Sequence, residues 1–506
     1  MESMLDESKA PAPVTDLDWD AGRTRELGEA TVELWTELVA GLREMPIGLR
    51  TTAEEVRARV TRPIPDEPLP LPELMDHLRT LVFEASCQTG HPGFVAYISG
   101  SGTLPGAAAD LIAAAINQNL GGSRLSPGAT EIEQHLMRWF ADRLGLPASA
   151  GGLLTSGGAM ANFIGLKAAR DARAGFDVRA QGVLAGPPLA FYSSDEAHVV
   201  NERAADMLGL GRDAVRHIAT DAAQRMRVDA LEAAIHADLS AGVRPVAVVA
   251  TAGTVGTGAI DPLDEIADLC AAHDIWLHVD GAYGGIAAMV DSLKPAFRGI
   301  ERADSIAFDP HKWLYTPHSG GGLVVRDLRR LADSFAVNPS YIFDDPELTR
   351  RGGDFLNLGP QFSRGFQALK VWVSLLAHGW GAYSRRIAHD VALARWLHAR
   401  AAARPEFEVV GGTPPLSIAC FRYVPADAPA GDRREEYLDR LNERLMLELQ
   451  LDGRVFPSNA VVAGRFLLRA CIVNFRTEAA DLERLLDIAA ELGARLHAEM
   501  KVATPA

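Results

Sequence analysis

Cysteine is scarce in this 506-residue chain: Cys87, Cys270, Cys420 and Cys471 stand singly, with no C-x-x-C and no paired spacing. A disulfide framework is therefore not indicated, and a reducing cytoplasm is the expected setting. Cys270, Cys420 and Cys471 fall inside apolar segments and read as small buried hydrophobes. Positive charge is also short, the formal net charge being −16, which argues against a nucleic-acid or anionic-membrane partner. No uninterrupted apolar run is long enough to span a bilayer. "GAAADLIAAAINQNL" carries Asp110 and polar amides and predicts a buried helix instead. The acidic, polar start "MESMLDESKAPAPVTDLDWD" lacks the features of a secretory leader. There is no repeat of fixed period, and no low-complexity tract beyond alanine-rich helices.

What remains is an ordinary globular composition, 48% hydrophobic and 23% charged, with mean hydropathy +0.01. The length exceeds what one hydrophobic core serves, so two or more domains are expected. Residues 1–90 predict a helical arm: "TRELGEATVELWTELVAGL" has helical apolar spacing, and a proline-rich connector leads to a second helix. Residues 91–378 alternate strand and helix. "LAFYSS", "RPVAVVAT", "DIWLHVD", "DSIAFD" and "GGLVV" read as short buried strands, and the helix at 261–273 returns the chain for parallel pairing. Asp261 is expected to cap that helix, with Pro262 at its first position. Residues 379–506 predict a long helix followed by a smaller α+β domain with strands in "FEVVGG", "SIACFRYV" and "FLLRACIVN". The fold class is thus α/β, a mostly parallel central sheet covered by helices.

Ligands of such sheets bind beyond the carboxyl ends of the strands, and four strand ends carry chemistry. In "GGLLTSGGAMANFIGLKAAR", backbone amides of Gly157, Gly158 and Ala159 at a helix start suit an anion, although glycines there also suit a plain tight turn. His198, in "FYSSDEAHVV", could lie flat on an aromatic ligand or simply start a helix. Asp280 ends the apolar strand of "DIWLHVDGAYGG", where it could hold a ring N–H⁺; Ala282 leaves room for a flat ring. His278, Asp280 and His311 allow a metal reading, but without a third ligand at firm spacing. Lys312, in "SIAFDPHKWLYTP", stands where a buried strand stops. A lysine amine shielded from water becomes a nucleophile toward carbonyls; a structural lysine would need an acidic partner, for which Asp309 is available. An anion cradle, a stacking imidazole, a carboxylate and an amine are together the needs of pyridoxal 5'-phosphate (PLP).

The motifs "SPGATEIE", "SGGAMAN", "YSSDEAH", "TAGTVGTGAIDPL", "HVDGAYGG" and "DPHKW" occur in the order and spacing of the group II PLP-dependent amino-acid decarboxylases, and the chain resembles that family from residue 91 nearly to its end. The resemblance implies the PLP-dependent transferase fold of type I and decarboxylation of an L-amino acid to its amine, an aromatic or other apolar side chain being favoured. Lys312 would carry the cofactor as an internal aldimine, Asp280 would pair with the pyridinium nitrogen, and His198 and Ala282 would flank the ring. Gly158 and Ala159 would meet the phosphate with His311 nearby, and Thr254 would lie in a cofactor-contacting turn. Tyr341 would protonate the α-carbon after CO2 leaves. Relatives that form aldehydes have phenylalanine there, so Tyr341 favours simple decarboxylation over oxidative deamination. Arg469 would approach the substrate carboxylate, although an interdomain salt bridge would use the same guanidinium. Tyr97 would line the side-chain pocket. The sequence departs from the family in this region, reading Tyr97-Ile98-Ser99-Gly100 and "LGGSRLSP"; Val255 and Asp309 also replace a threonine and an asparagine common among relatives. A decarboxylase for an acidic amino acid is the remaining alternative. The resemblance further implies a homodimer with shared active sites, the 1–90 arm packing on the partner.

Overall fold

Runs rich in valine, alanine and leucine become strands buried on both faces, as parallel pairing under helices requires. The computed structural model describes residues 15–48, 51–61, 63–337, 354–431 and 433–503. Its contacts divide into two units, Met1–Gln88 and Thr89–Ala506.

The first unit is helical, and two of its helices have clear caps. Ala21–Gly41 is capped by Asp20, whose side chain accepts from the Arg23 N–H, and Ala53–Val60 by a reciprocal Thr52–Glu55 box. Among its described apolar side chains only Leu34, Leu42 and Ile47 are buried.

In the second unit, β1 (Gly151–Thr155), β2 (Leu189–Ser194), β3 (Val215–Ile218), β4 (Arg244–Thr251), β5 (Trp276–Gly281), β6 (Ser305–Phe308) and β7 (Gly321–Val325) form one sheet. Their order is β1-β7-β6-β5-β4-β2-β3. β7 runs antiparallel to both β1 and β6, and the other pairings are parallel. The carboxyl ends of β1, β2, β4, β5 and β6 consequently share one edge. A second, antiparallel sheet joins β8 (Phe407–Val409), β9 (Ile418–Tyr423), β10 (Ser458–Val462) and β11 (Arg465–Cys471) in the order β10-β11-β9-β8. β3 and β10 were not expected. Two of the five residues of β10 face outward, its burial alternating residue by residue, so it lacks an apolar run to announce it.

Two local expectations are corrected. Asp261 does not cap the Leu263–Ala272 helix, which has no side-chain cap. Its two carboxyl oxygens accept instead from the Met226 and Thr251 N–H groups, each at 2.7 Å, tying β4 to the segment that precedes the Val228–Ser240 helix. Burial pushes its pKa up to about 6. The Leu104–Ile116 helix is not buried either: Leu104, Leu111, Ile112 and Ile116 are exposed and only Gly106 and Ala109 are covered. Asp110 on this helix pairs with the buried Lys370 at 2.9 Å.

Candidate active site

The strand β6 explains the placement of Lys312. All four residues of Ser305–Phe308 are buried. Asp309 is extended, and Pro310 then opens one helical turn, Pro310–Trp313, a position where its missing N–H costs nothing. The turn lifts Lys312 off the sheet edge. Trp313, fully buried, stacks on Tyr283 with ring centroids 4.6 Å apart and pins the turn from below. Lys312 Nζ lies 3.0 Å from Asp309 Oδ2, so the amine has the acidic partner its burial asks for.

Asp280 projects from β5, in register with Thr251 on one side and Ala307 on the other. It is 5% exposed, and Oδ1 accepts from the Ala282 N–H at 3.1 Å. Two residues earlier on the same face, His278 is wholly buried, and burial lowers its pKa to about 4. Its Nε2 meets Asn162 Oδ1 at 2.7 Å and its Nδ1 meets Ser305 Oγ at 2.7 Å. An amide oxygen only accepts, so Nε2 carries the proton and Nδ1 accepts from Ser305. Ser305 in turn accepts from Trp276 Nε1 at 2.8 Å. Both imidazole nitrogens are thus engaged in a neutral chain, and neither is open to a metal. Among the described residues no group of three His, Cys, Asp or Glu side chains is placed to hold an ion.

At the other end of the site, β1 delivers the start of the Gly158–Arg173 helix. Glycine at 158 is a matter of space. A Cβ there would stand 2.8 Å from Asp309 Oδ2 and 2.9 Å from Ala282 Cβ. Gly158, Ala159, His198, Asp280, Ala282, Asp309 and Lys312 line one cavity. Its remaining wall includes Ile98, Val200, Val255 and Tyr283. His198 is exposed at the mouth, where its Nδ1 accepts from the Val200 N–H at 3.1 Å.

Four expected residues lie outside the cavity wall. Thr254 is buried, and its hydroxyl accepts from the Ala259 N–H at 3.0 Å; its neighbours Gly253 and Val255 line the cavity instead. His311 stands behind Asp309 rather than in the wall, its Nδ1 donating to the Gly320 carbonyl and its Nε2 3.8 Å from Asp309 Oδ2. Arg469 is 2% exposed; it donates to the carbonyls of Val255 at 2.8 Å and Tyr97 at 2.9 Å, and to Ser458 Oγ at 3.1 Å. Those acceptors are neutral, and its Nη2 is buried with no partner. Tyr97 itself has left-handed backbone, φ 54°, and a 60% exposed side chain. The Arg469 bond to its carbonyl, with the Tyr97 N–H donating to Ser458 Oγ, holds that costly conformation. Tyr341 lies outside the described residues.

The family described as pyridoxal-dependent decarboxylase conserved domain matches residues 54–424. The chain belongs to this family. The aromatic-L-amino-acid decarboxylase of Bacillus atrophaeus is 33% identical over 472 residues, covering 93% of this chain and 95% of its own. The L-2,4-diaminobutyrate decarboxylase of Rhizobium meliloti (strain 1021) is 33% identical over 442 residues, with 86% and 84% covered. The crystal structure of Oryza sativa TDC with PLP and tryptamine superposes with a TM-score of 0.88 at 29% identity, over 95% of this chain and 99% of that one. The protein is a PLP-dependent amino-acid decarboxylase of fold type I.

The decarboxylase cavity fits that cofactor on its own terms. Two buried polar atoms at its wall, Asp309 Oδ1 and Thr251 Oγ1, have no partner within the protein, which marks a place built for a polar ligand. The donor set also agrees: an amine for an aldehyde, a carboxylate for a ring nitrogen, and helix amides for a phosphate. Asn162, Thr251 and Tyr283 were missed as wall residues. Thr251 was within reach, since it ends the run "RPVAVVAT"; Asn162 and Tyr283 come to the wall through helix and turn geometry that no local pattern announces.

Proposed function

We propose that this decarboxylase acts on an L-amino acid with an aromatic or other apolar side chain, releasing the amine and CO2. The observation that carries the reading is the convergence of Lys312, Asp280, His198, Ala282, Gly158 and Ala159 on one cavity whose remaining wall places Ile98, Val200 and Val255 beside the neutral Asn162, Thr251, Gly253 and Tyr283. The carboxylates of that wall are Asp280 and Asp309. Both belong to the cofactor in this reading, so no acidic group there awaits a cationic substrate side chain.

PLP bound in the cavity would supply a sink for the electron pair left on the α-carbon when CO2 departs. Lys312 would hold it covalently. Asp280 would keep a proton on the ring nitrogen, a charge-assisted bond strengthened by burial. His198 and Ala282 would confine the ring, and the amides of Gly158 and Ala159 would hold the phosphate. The unpartnered Nη2 of Arg469 supports a role in receiving the substrate carboxylate, for which a guanidinium is well shaped. Thr254 and His311 serve as supports behind the wall, Thr254 by fixing the 253–259 turn. Tyr341 remains our proton donor to the α-carbon and Tyr97 a contact for the substrate side chain. A screen of L-amino acids should give amine and CO2 in equal amounts with tryptophan, tyrosine or phenylalanine analogues, and no peroxide. Turnover confined to acidic or diamino substrates, or peroxide released in step with CO2, would contradict this reading.

We further read the chain as a dimer-forming arm over 1–90, a large cofactor-binding domain over 91–378 and a small domain over 379–506. The exposed Leu104, Leu111, Ile112 and Ile116 supply an apolar face suited to a second copy. Sedimentation should find a dimer of the 54.3 kDa chain; active enzyme that sediments only as monomer would refute it. Four unpaired thiols fit a cytoplasmic location, and no described helix is long and apolar enough to cross a membrane.

A further inference from the structure

Asp309 places a carboxylate at an anion seat. Its side chain is 3% exposed. Oδ2 lies 3.0 Å from Lys312 Nζ and 3.8 Å from His311 Nε2, while Oδ1 is buried without a partner. Both oxygens crowd the start of the 158–173 helix: a Cβ on Gly158 would come within 2.8 Å of Oδ2 and 3.3 Å of Oδ1. That helix start is where the reading above seats the phosphate, and the inference rests on it. A phosphate monoester carries about −1.5 to −2 charges near neutrality. Two anions sharing one buried seat do not both stay ionised.

The surrounding charges do not relieve the conflict. Lys312, the one cation paired with Asp309, is the group that engages the cofactor aldehyde. His311 donates from Nδ1 to the Gly320 carbonyl, and burial holds its pKa below the usual imidazole value. His318, whose ring lies 4.5 Å from that of His311, is lowered in the same way. Lys370 is already paired with Asp110. Asp280, the other carboxylate of the wall, adds negative charge.

We propose that Asp309 takes up a proton from solvent when PLP binds, so that a neutral carboxyl donating toward the phosphate replaces the Asp309–Lys312 ion pair. One O–H bond forms and no other atom changes hands; the condensation at Lys312 is common to the native protein and to the variants below. The bound state then holds one more proton than the free state. Affinity for PLP falls as pH rises, the dissociation constant approaching a tenfold increase per pH unit.

The test titrates PLP into the full-length cofactor-free protein across mildly acidic to alkaline pH. Calorimetry in buffers of different ionisation enthalpy counts the protons. Asp309→Asn, which donates an N–H at every pH, should take up about one proton fewer than the native protein. It should also bind PLP about tenfold more tightly at the alkaline end. His311→Gln should keep the native proton count. Pyridoxal, lacking the phosphate, should show no difference between the native protein and Asp309→Asn, and its binding also reports that the variant is folded. Equal proton counts for native and Asp309→Asn with PLP would overturn the proposal, as would a difference that persists with pyridoxal or one removed by His311→Gln. Failure of the native protein to bind PLP at all would instead overturn the site reading beneath it.

Discussion

Lys312→Ala is expected to abolish the covalent hold on PLP and to lower decarboxylation by about 10⁴-fold, the upper end of what one positioned acid–base group contributes. The amine is singular in its setting. It stands on a one-turn helix fixed by buried Trp313 and is the lysine of the cavity wall. The alanine variant also leaves the carboxylate of Asp309 buried without its cation, and stripping one partner from a buried pair costs about 3–5 kcal/mol. Lys312→Arg separates the two effects. It keeps a cation beside Asp309 but offers no amine for a carbonyl. Both variants should lose turnover, measured as CO2 release, while Lys312→Arg melts close to the native temperature. Activity retained by either would remove Lys312 from the chemistry.

The second large effect belongs to Asp280. An Asp280→Asn variant keeps the side-chain oxygen that accepts from the Ala282 N–H at 3.1 Å, so the turn after β5 should hold. What it loses is negative charge. A neutral amide cannot keep a proton on the ring nitrogen, and the sink for the departing electron pair weakens accordingly. Removing one preorganised electrostatic partner typically lowers kcat by about 10²–10³-fold. The variant should therefore bind PLP covalently through Lys312 yet turn over that much more slowly, and a kcat within a few-fold of native would contradict the role. Neutral His278 sharpens the expectation. With both its nitrogens committed to Ser305 and Asn162, it has no proton to lend Asp280 and cannot take over the task.

Much of this site was legible because chemistry in an open α/β sheet gathers where strands end. β4, β5 and β6 announce themselves as continuous apolar runs, and the polar residues that interrupt them, Thr251, Asp280 and Asp309, are the ones the fold brings to a single edge. What stayed hidden depends on contacts distant in sequence. Asp261 had a sound local reason to cap a helix, yet two N–H groups from Met226 and Thr251 claimed both its oxygens. The 104–116 helix looked like core because an apolar run does not say what covers it. Arg469 could not be told from a salt-bridge arginine until its acceptors proved to be two carbonyls and a hydroxyl. Thr254 sits in a motif whose neighbours face the cavity while its own hydroxyl folds back into the turn.

Borohydride reduction of the PLP-loaded native protein, followed by peptide mapping, tests the central claim most directly. The account predicts a pyridoxyl group fixed to the peptide that contains Lys312 and to no other lysine. A label on a different residue, or none at all, would contradict it.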